Sequence, residues 1–478
     1  MGRKEFHRTL TTSAEKLETQ ICSGKDISVT ARNNSDGVAS AGILTHAIFN
    51  SGGRCSVRFV HDLTREMILK TKSEDHEFHV FVDLGVGLSK ELRNSFGGNW
   101  LALNHDKISK EEITTDDENS ILNPWKFGID GDTEISSGGI SYLIAKAIDK
   151  KYQMLSPLSI VSALGENQDD GEKRSFIGLN SELCDESVGL GTLNIEIDIL
   201  FTWRDSKPIH LSLANTLFPY IHGLTWNDKN CLELIRNTGI PLKVNGRWRT
   251  SSETSQEEKF VLIEALTKYI NEHSTTGPQN LENRLAGFTY TLVHEEEGTS
   301  LRDAREFSFL LEGCCVQSRP SIGLAVCAGN RNKDLLEANH CLADLELEIK
   351  NSVKTIMSER WRISDDGTNI WVIGDNVTRD YNFHVISSLL SSYSEFYGKI
   401  LIVRAETIND SYKYSVRKSR GCQFKQDLGL MLNQLSAELG CSTSGNDSCA
   451  ECIVPFSKID DFTTIFRRFT KFDEREES

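Results

Sequence analysis

Apolar and polar positions follow one another in blocks along the first 170 residues. Short apolar runs predict strands at residues 27–31, 55–60, 78–82 and 100–103. Stretches with helical spacing separate or follow them, including residues 38–49 and 138–148. Strands that alternate with helices are typical of a parallel α/β sheet, and strands that are apolar throughout are buried on both faces. The pattern therefore predicts an N-terminal parallel sheet.

Each predicted strand ends in a polar cluster. Asp36, Asp83 and His105 belong to three of these clusters, although they lie far apart in the sequence. Ligands of open α/β sheets bind at the carboxyl ends of the strands. We therefore expect these three side chains to meet in one crevice, although loops are also polar for no functional reason.

The pattern changes after residue 190, where helical spacing dominates at residues 231–236 and 257–272. Apolar runs then predict strands at 287–294, 321–328, 370–373 and 399–403, with a long helix at 334–354. We expect three domains: a parallel-sheet domain at 1–185, a mostly helical connecting segment at 186–290, and a second α/β domain at 291–478. A chain of 478 residues is long enough for this organisation.

Composition excludes several classes of protein. Gly and Pro are too few for collagen, and apolar residues are too many for a disordered chain. With 53 basic and 69 acidic residues the formal charge is −16, which disfavours bulk electrostatic binding of nucleic acid but allows a local basic groove.

We expect an intracellular, cytoplasmic protein with no membrane contact. No apolar run reaches the roughly 18 residues of a membrane span, and the first residues contain no apolar signal region. The twelve cysteines are then expected to be reduced thiols. Four C-terminal cysteines leave two interpretations open, a structural zinc site or small buried apolar groups: Cys422, Cys441, Cys449 and Cys452.

A series of short motifs resembles one family. Residues 32–37 (RNNSDG) are similar to its first motif, H-x-D-x-D-G, residues 82–85 to its second, and residues 104–106 (NHD) to the Asp-His-His that names it. Residues 163–165 with Asp169 are similar to the fourth motif, and residues 301–307 to the entry of its second domain. In this order, the motifs resemble the RecJ branch of the DHH phosphoesterases, most closely the archaeal RecJ-like proteins that associate with GINS.

The resemblance implies a fold and a chemistry. The fold is a DHH domain followed by a helical segment and a DHH-associated domain, and the family's nucleases hold two Mn²⁺ ions that clamp a phosphodiester. This chain departs from the family at several motif positions, which include Arg32, Asn34, Asn104, Asp106 and Asn446. A guanidinium offers only donors, so Arg32 cannot ligate a metal. One metal site is therefore expected to be lost.

The other ligand set survives as residue types: Asp36, Asp83, His105 and Asp169. Two interpretations stay open, a single Mn²⁺ or Mg²⁺ site and a set of inherited residues that is satisfied by hydrogen bonds. We further expect Arg32 to lie near Asp83, where its charge replaces part of the missing metal charge.

The resemblance also points to a nucleic-acid contact near the C-terminus. Ser444, Gly445 and Asn446 stand where the family has a Gly-Gly-His motif. The nearby basic residues are either a patch for single-stranded nucleic acid or a solvated face: Arg417, Lys418, Arg420 and Lys425. Gly37 and the Gly138–Gly139 pair are either a phosphate cradle or tight turns.

The leading hypothesis is a nuclease-inactive RecJ-like scaffold beside GINS and the MCM helicase, with single-stranded DNA or RNA as a further ligand. The nuclease-inactive RecJ relative of the eukaryotic replicative helicase is an analogy. The main alternative is a Mn²⁺-dependent exonuclease with an atypical one-metal site, in which Asp83, His105 and Asp106 are the catalytic candidates. A small-nucleotide phosphodiesterase is a third, disfavoured by the long middle segment.

Overall fold

The computed structural model describes residues 2–107, 120–273, 285–379, 382–407, 410–419, 421–445 and 447–472. The chain forms two compact units, each made of two separate segments. The first unit contains residues 1–206 and 286–344, and the second contains residues 207–285 and 345–478. Among the described residues, no helix combines the length and the apolar character that crossing a bilayer requires.

The strands are, in chain order, β1 Asp26–Arg32, β2 Arg54–Val60, β3 Phe78–Val82, β4 Trp100–Leu103, β5 Ile121–Leu122, β6 Leu193–Ile199, β7 Lys243–Val244, β8 Arg247–Trp248, β9 Ala286–Leu292, β10 Ile363–Asp365, β11 Asn369–Ile373, β12 Ile400–Glu406, β13 Ser411–Lys418, β14 Ser442–Gly445 and β15 Cys449–Pro455.

The helices are α1 Gly2–Cys22, α2 Ser35–Asn50, α3 Arg65–Lys72, α4 Ser89–Phe96, α5 Ser137–Ile148, α6 Ser156–Gly165, α7 Gly178–Gly189, α8 Ile209–Asn215, α9 Asp228–Asn237, α10 Gln256–His273, α11 Ala304–Val316, α12 Pro320–Cys327, α13 Lys333–Ser358, α14 Phe383–Ser391, α15 Leu428–Leu439 and α16 Ile459–Phe472.

The first unit is built on a parallel sheet with strand order β2-β1-β3-β4-β5. Every residue of β3 and β4 is buried, as their continuous apolar sequences predict. Side chains alternate between two apolar clusters: Val80 and Val82 pack with α1, α2 and α5, whereas Phe81 packs with α3 and α4. The predicted N-terminal parallel sheet is confirmed.

An antiparallel pair, β6 with β9, also belongs to the first unit. Its register places Ile199 opposite Ala286, so the chain leaves and re-enters this unit at neighbouring positions. Most of the intervening chain, residues 207–285, belongs to the second unit. There the predicted helices at 231–236 and 257–272 are confirmed as α9 and α10.

The second unit contains a six-stranded sheet of order β10-β11-β12-β13-β15-β14. β11 and β12 are parallel and the remaining pairs are antiparallel. Helices α15 and α16 pack on one apolar cluster with β12, β13 and β15. Sheets in both halves of the chain confirm the predicted α/β class.

One predicted strand is wrong, because residues 321–328 form helix α12. Pro320 occupies the first turn, where its missing N–H costs nothing. The buried residues follow helical spacing: Ile322, Gly323, Val326 and Cys327. Small apolar residues throughout the run hide this spacing in the sequence.

The predicted boundaries of the three domains, at residues 185 and 290, remain a prediction. Residues 291–344, which that prediction assigns to the last domain, pack in the first unit. The predicted helical segment at 186–290 also contains β6, the β7–β8 hairpin and the first part of β9.

Candidate functional site

Three neighbouring strands deliver the candidate site. Arg32 ends β1, Asp83 follows β3 and His105 lies just beyond β4, all at the carboxyl edge of the sheet. Asp36 lies in the first turn of α2, which follows β1. Ligand atoms of Asp36, Asp83 and His105 all lie within 4.8 Å of one another. The three residues meet as the strand-end argument predicts.

Asp36 is completely buried, and its carboxylate accepts four hydrogen bonds. Its oxygens accept hydrogen bonds from the hydroxyls of Ser40 and Ser162 and from the backbone N–H groups of Ser137 and Gly138. Burial alone would raise the pKa of this carboxyl, but these bonds and His105 outweigh it and hold the pKa below its ordinary value. Asp36 is therefore an anion within the protein.

Asp83 has a left-handed backbone, with φ of 57°. Aspartate tolerates this conformation better than most residues, and such strain clusters at functional sites. One carboxylate oxygen, Oδ1, accepts from Ser137 Oγ at 3.0 Å and lies 3.3 Å from His105 Nδ1. The other, Oδ2, lies 2.8 Å from Arg32 Nε and 3.2 Å from the amide nitrogen of Asn34. The carboxylate thus lies between two cationic neighbours.

His105 contributes the imidazole of the inner cluster and faces both carboxylates. Its Nδ1 lies 3.4 Å from Asp36 and 3.0 Å from Ser137 Oγ. Burial alone would lower the pKa of this imidazole, but hydrogen bonds to Asp36 and Asp83 hold it well above its ordinary value.

Glu166 is a member of the cluster that sequence reasoning missed. Its Oε2 lies 3.8 Å from His105 Nε2, and its Oε1 accepts from Asn34 Nδ2 at 3.0 Å. Burial raises the pKa of Glu166 to about 8 against the opposing charge of His105, and Asp83 adds to the rise. The available signal was its place directly after the motif at residues 163–165.

Arg32 lies beside Asp83, as predicted. It also contacts Asp106, with Nη2 2.7 Å from Oδ2, and donates from Nε to the Asp83 carbonyl at 2.9 Å. Burial alone would lower the pKa of this guanidinium, but Asp83 and Asp106 raise it. Asn104 positions Asp106, since its Oδ1 accepts from the Asp106 N–H at 2.8 Å.

Asn34 turns its oxygen away from the cluster. Its Oδ1 caps α2 by accepting from Gly37 N–H at 2.8 Å, while its amide nitrogen faces Asp83 and Glu166. Arg32 and Asn34 thus present donors to the carboxylates and no free ligand atom. A second metal ion does not fit here.

One divalent ion does fit the chemistry of the inner group. Two carboxylates and one imidazole nitrogen suit Mn²⁺ or Mg²⁺, and all three groups are buried. Binding would require His105 to give up its proton, because only neutral imidazole is a ligand. Among the described residues, this is the only group of at least three His, Cys, Asp or Glu side chains whose ligand atoms lie this close together.

Asp169, the fourth predicted ligand, lies outside this group. Its buried carboxylate contacts Arg174 Nη2 at 2.9 Å and forms a second ion pair with Arg305. Arg305 also donates to the Phe288 carbonyl at 3.2 Å. These contacts give Asp169 a structural environment, in which it joins the loop after α6 to β9 and α11.

Gly37 and Gly138 stand where neighbouring atoms leave no space for a Cβ. A Cβ on Gly138 would lie 2.3 Å from Ser162 Oγ, and one on Gly37 would lie 2.1 Å from the Arg32 carbonyl. Packing therefore requires both glycines. This accounts for them without a phosphate cradle.

The C-terminal predictions fall in the second unit and on its β13, β14 and β15 strands. Arg417 donates to the His384 carbonyl at 3.4 Å, and Lys418 pairs with Asp447 at 2.9 Å. Ser444 and Gly445 belong to β14. Arg420 and Asn446 lie outside the described residues, so their predicted nucleic-acid contact stays a prediction.

The C-terminal cysteines offer no closely gathered ligand set among the described residues. Cys452 is buried in β15, and burial raises the pKa of its thiol well above the ordinary value. Such a thiol behaves as a small apolar group.

Comparison with known proteins identifies two levels of similarity. Residues 201–281 match the family model of the DHH-CID domain. An uncharacterized protein of Methanocaldococcus jannaschii is 25% identical over 336 residues, which cover 69% of this chain and 70% of that protein.

Solved structures of low sequence identity share the fold. CDC45 from Entamoeba histolytica matches with a TM-score of 0.62 at 12% identity, over 96% of this chain and 99% of that one. RecJ from Thermus thermophilus, in complex with Mn²⁺, matches with a TM-score of 0.58 at 11% identity. The match covers 97% of this chain but only 55% of that RecJ, so this chain spans about half the length of the RecJ. An exonuclease RecJ bound to manganese matches with a TM-score of 0.55 at 12% identity, over 97% and 94% of the two chains. The chain therefore has the fold that these RecJ and CDC45 structures share, and its residues 201–281 match the DHH-CID domain model.

Proposed function

We propose that this chain is a RecJ-like protein that has lost two-metal nuclease chemistry and serves as a structural component of a replication assembly. The observation that carries the proposal is the pair of donors, Arg32 and Asn34, directed at Asp83. Two metal ions are needed to clamp the attacking and leaving oxygens of a phosphodiester. A position filled by a guanidinium and an amide nitrogen does not supply the second ion.

The charge around the site also disfavours a phosphodiester. Arg32 is surrounded by three carboxylates, and Asp62 and Asp106 among them are exposed for 85% and 51% of their side chains. A phosphate that approached Arg32 would meet these negative charges first. Arg32 is thus committed to carboxylates of its own chain.

The partners proposed are the GINS complex and the MCM helicase, inside the cell and beside DNA. The fold likeness to CDC45, over 96% of this chain and 99% of that one, supports a place in a replication assembly. The archaeal GINS-associated type remains part of the proposal. Binding of single-stranded nucleic acid near Arg417, Ser444 and Gly445 is a secondary element of it.

The second candidate is a one-metal, Mn²⁺-dependent exonuclease, favoured by the close approach of Asp36, Asp83 and His105. These residues would hold the ion, which when bound would lower the pKa of a coordinated water and polarise a phosphoryl oxygen. Asp106 would then lie near the site with its charge paired to Arg32.

A nuclease assay separates the two candidates. Purified chain is incubated with 5′-labelled single-stranded DNA and RNA in Mn²⁺, beside Asp83→Ala. We expect no cleavage above the level of the variant. Mn²⁺-dependent cleavage that Asp83→Ala abolishes would establish the exonuclease instead.

A binding assay tests the structural role directly. The chain is mixed with GINS and MCM from the same organism, and each mixture is resolved by size-exclusion chromatography. We expect co-elution with GINS that survives Asp83→Ala. Separate elution from both would contradict the proposed assembly.

A further inference from the structure

Arg32 bridges carboxylates that come from three separate loops. Its Nε lies 2.8 Å from Asp83 Oδ2, its Nη2 lies 2.7 Å from Asp106 Oδ2, and its Nη1 lies 3.9 Å from Asp62 Oδ1. These loops follow β3, β4 and β2. The guanidinium is thus the cation shared by Asp83, Asp106 and Asp62, and these three carboxylates with Arg32 are called the outer half of the site.

The buried member of this set requires a cation. The side chain of Asp83 is only 2% exposed, and an ionised carboxylate at that depth is costly unless it is paired. His105 faces its Oδ1, so Oδ2 depends on Arg32 and on the amide of Asn34. Arginine keeps its charge at every relevant pH.

A divalent ion and this guanidinium exclude each other. Mg²⁺ and Mn²⁺ select carboxylate oxygens, and the available pair here is Asp83 Oδ2 with Asp106 Oδ2. Both oxygens already lie within 2.8 Å of Arg32 nitrogens. An ion bound to them would lie against a fixed positive charge. The position differs from the inner group, which uses the opposite oxygen of Asp83 toward His105.

We propose that Arg32 is a built-in counter-cation that takes the place of a divalent ion between Asp83 and Asp106. The outer half of the site is therefore independent of metal in the natural chain. Removing the guanidinium converts it into a divalent-cation site formed by Asp83 and Asp106, with Asp62 at its edge.

The test counts ions in the absence of nucleic acid or partner proteins, so its result is separate from that of the proposed function. Chelator-treated full-length chain is titrated with MnCl₂ by calorimetry, and bound Mn²⁺ is counted by electron paramagnetic resonance. The variants are Arg32→Ala, the double variant Arg32→Ala/Asp106→Ala, and Arg58→Ala as control. Arg58 is of similar exposure and pairs with Glu74 away from the site.

We expect Arg32→Ala to bind one more Mn²⁺ than the natural chain, while the double variant and Arg58→Ala gain none. We also expect the Tm of Arg32→Ala to fall by several degrees in EDTA and to recover when MnCl₂ is added in excess. Arg32→Met, which retains the side-chain bulk, gives the same readout if the alanine variant does not fold. An unchanged ion count in both Arg32 variants, or an extra ion that persists without Asp106, would overturn the proposal.

Discussion

Two buried carboxylates, Asp36 and Asp83, define the candidate site, and each of them has its own set of hydrogen-bond and charged donors. Asp83 shares its two oxygens between His105 and Arg32, and Asp36 is enclosed by hydroxyl and backbone donors. Donors of the chain itself satisfy both side chains. The same arrangement that leaves room for one ion therefore also keeps the site folded without it.

Asp169 gives the first prediction at the scale of the residue. Asp169→Asn keeps the shape but leaves Arg174 and Arg305 without their buried counter-charge. We expect a loss of about 1–3 kcal/mol in the free energy of unfolding, measured by urea denaturation, because both arginines lose a charged hydrogen-bonding partner but remain partly exposed to solvent. Asp170→Asn, at the exposed neighbouring position, is the control and should cost under about 0.5 kcal/mol. Equal stability of the two variants would contradict the structural role.

His79 is the basis of a second prediction, which concerns the dependence of stability on pH. It is 4% exposed in β3, its ring lies 4.0 Å from that of Phe96, and burial lowers its pKa to about 4. Because the pKa of the unfolded state is 6.5, protonation favours unfolding, and stability falls as pH drops from about 6.5 to about 4. The loss attributable to His79 is at most about 3 kcal/mol. It should be absent in His79→Leu.

Urea unfolding at several pH values checks this difference. Other groups titrate in the same range, so the quantity of interest is the gap between the natural chain and His79→Leu. We expect the gap to change with pH in favour of the variant as the solution becomes more acidic. Parallel stability curves would contradict it.

Helices α5 and α6 pack so closely at Gly138 that no larger side chain fits there. Gly138→Ala would force a Cβ to 2.3 Å from Ser162 Oγ, at the point where both helices enclose Asp36. We expect a loss of about 1–3 kcal/mol, because overpacking displaces the neighbours. Gly189→Ala in α7 meets nothing within 4 Å and should be neutral or stabilising by up to about 1 kcal/mol. Thermal unfolding of both variants gives the comparison.

The sequence predicts elements well where burial is uniform. Every residue of β3 and β4 is buried, and the positions of these strands and their shared carboxyl edge follow from the apolar pattern of the sequence. Residues 321–328 are equally apolar, yet they form α12, because the decisive contacts come from side chains distant in sequence. A short apolar run contains no information about which of its faces will be covered.

The candidate site shows the same limit. The proximity of Arg32 and Asp83 follows from motif positions, and the structure confirms it. Glu166 directly follows the motif at residues 163–165, but this position in the sequence does not indicate that its Oε2 lies 3.8 Å from His105 Nε2. Motif order groups Asp169 with the ligands, whereas its environment is set by Arg305, over a hundred residues away.

The whole molecule is assembled from interrupted segments. β6 and β9 pair side by side at the point where the chain leaves the first unit and returns to it. We predict that residues 2–206, joined through a short Gly/Ser linker to residues 286–344, fold as an independent unit. The measurement is cooperative urea unfolding followed by circular dichroism, together with Mn²⁺ titration of the inner group.

The matched control for this design is a chain that ends at residue 344 but retains residues 207–285. That segment then lacks the rest of its own unit. We expect limited proteolysis to remove it while the first unit stays intact. Failure of the linked protein to fold, with the full chain stable under the same conditions, would show that the first unit is not self-sufficient.

The guanidinium between Asp83 and Asp106 has a consequence for the protein in its cell. A bound ion exchanges with its surroundings, so the occupancy of an ordinary metal site follows the supply of that metal. An arginine is provided once, when the chain is synthesised, and neither starvation for manganese nor competition from other ions can remove it. The outer half of this site should therefore keep the same charge and shape through every change in metal nutrition.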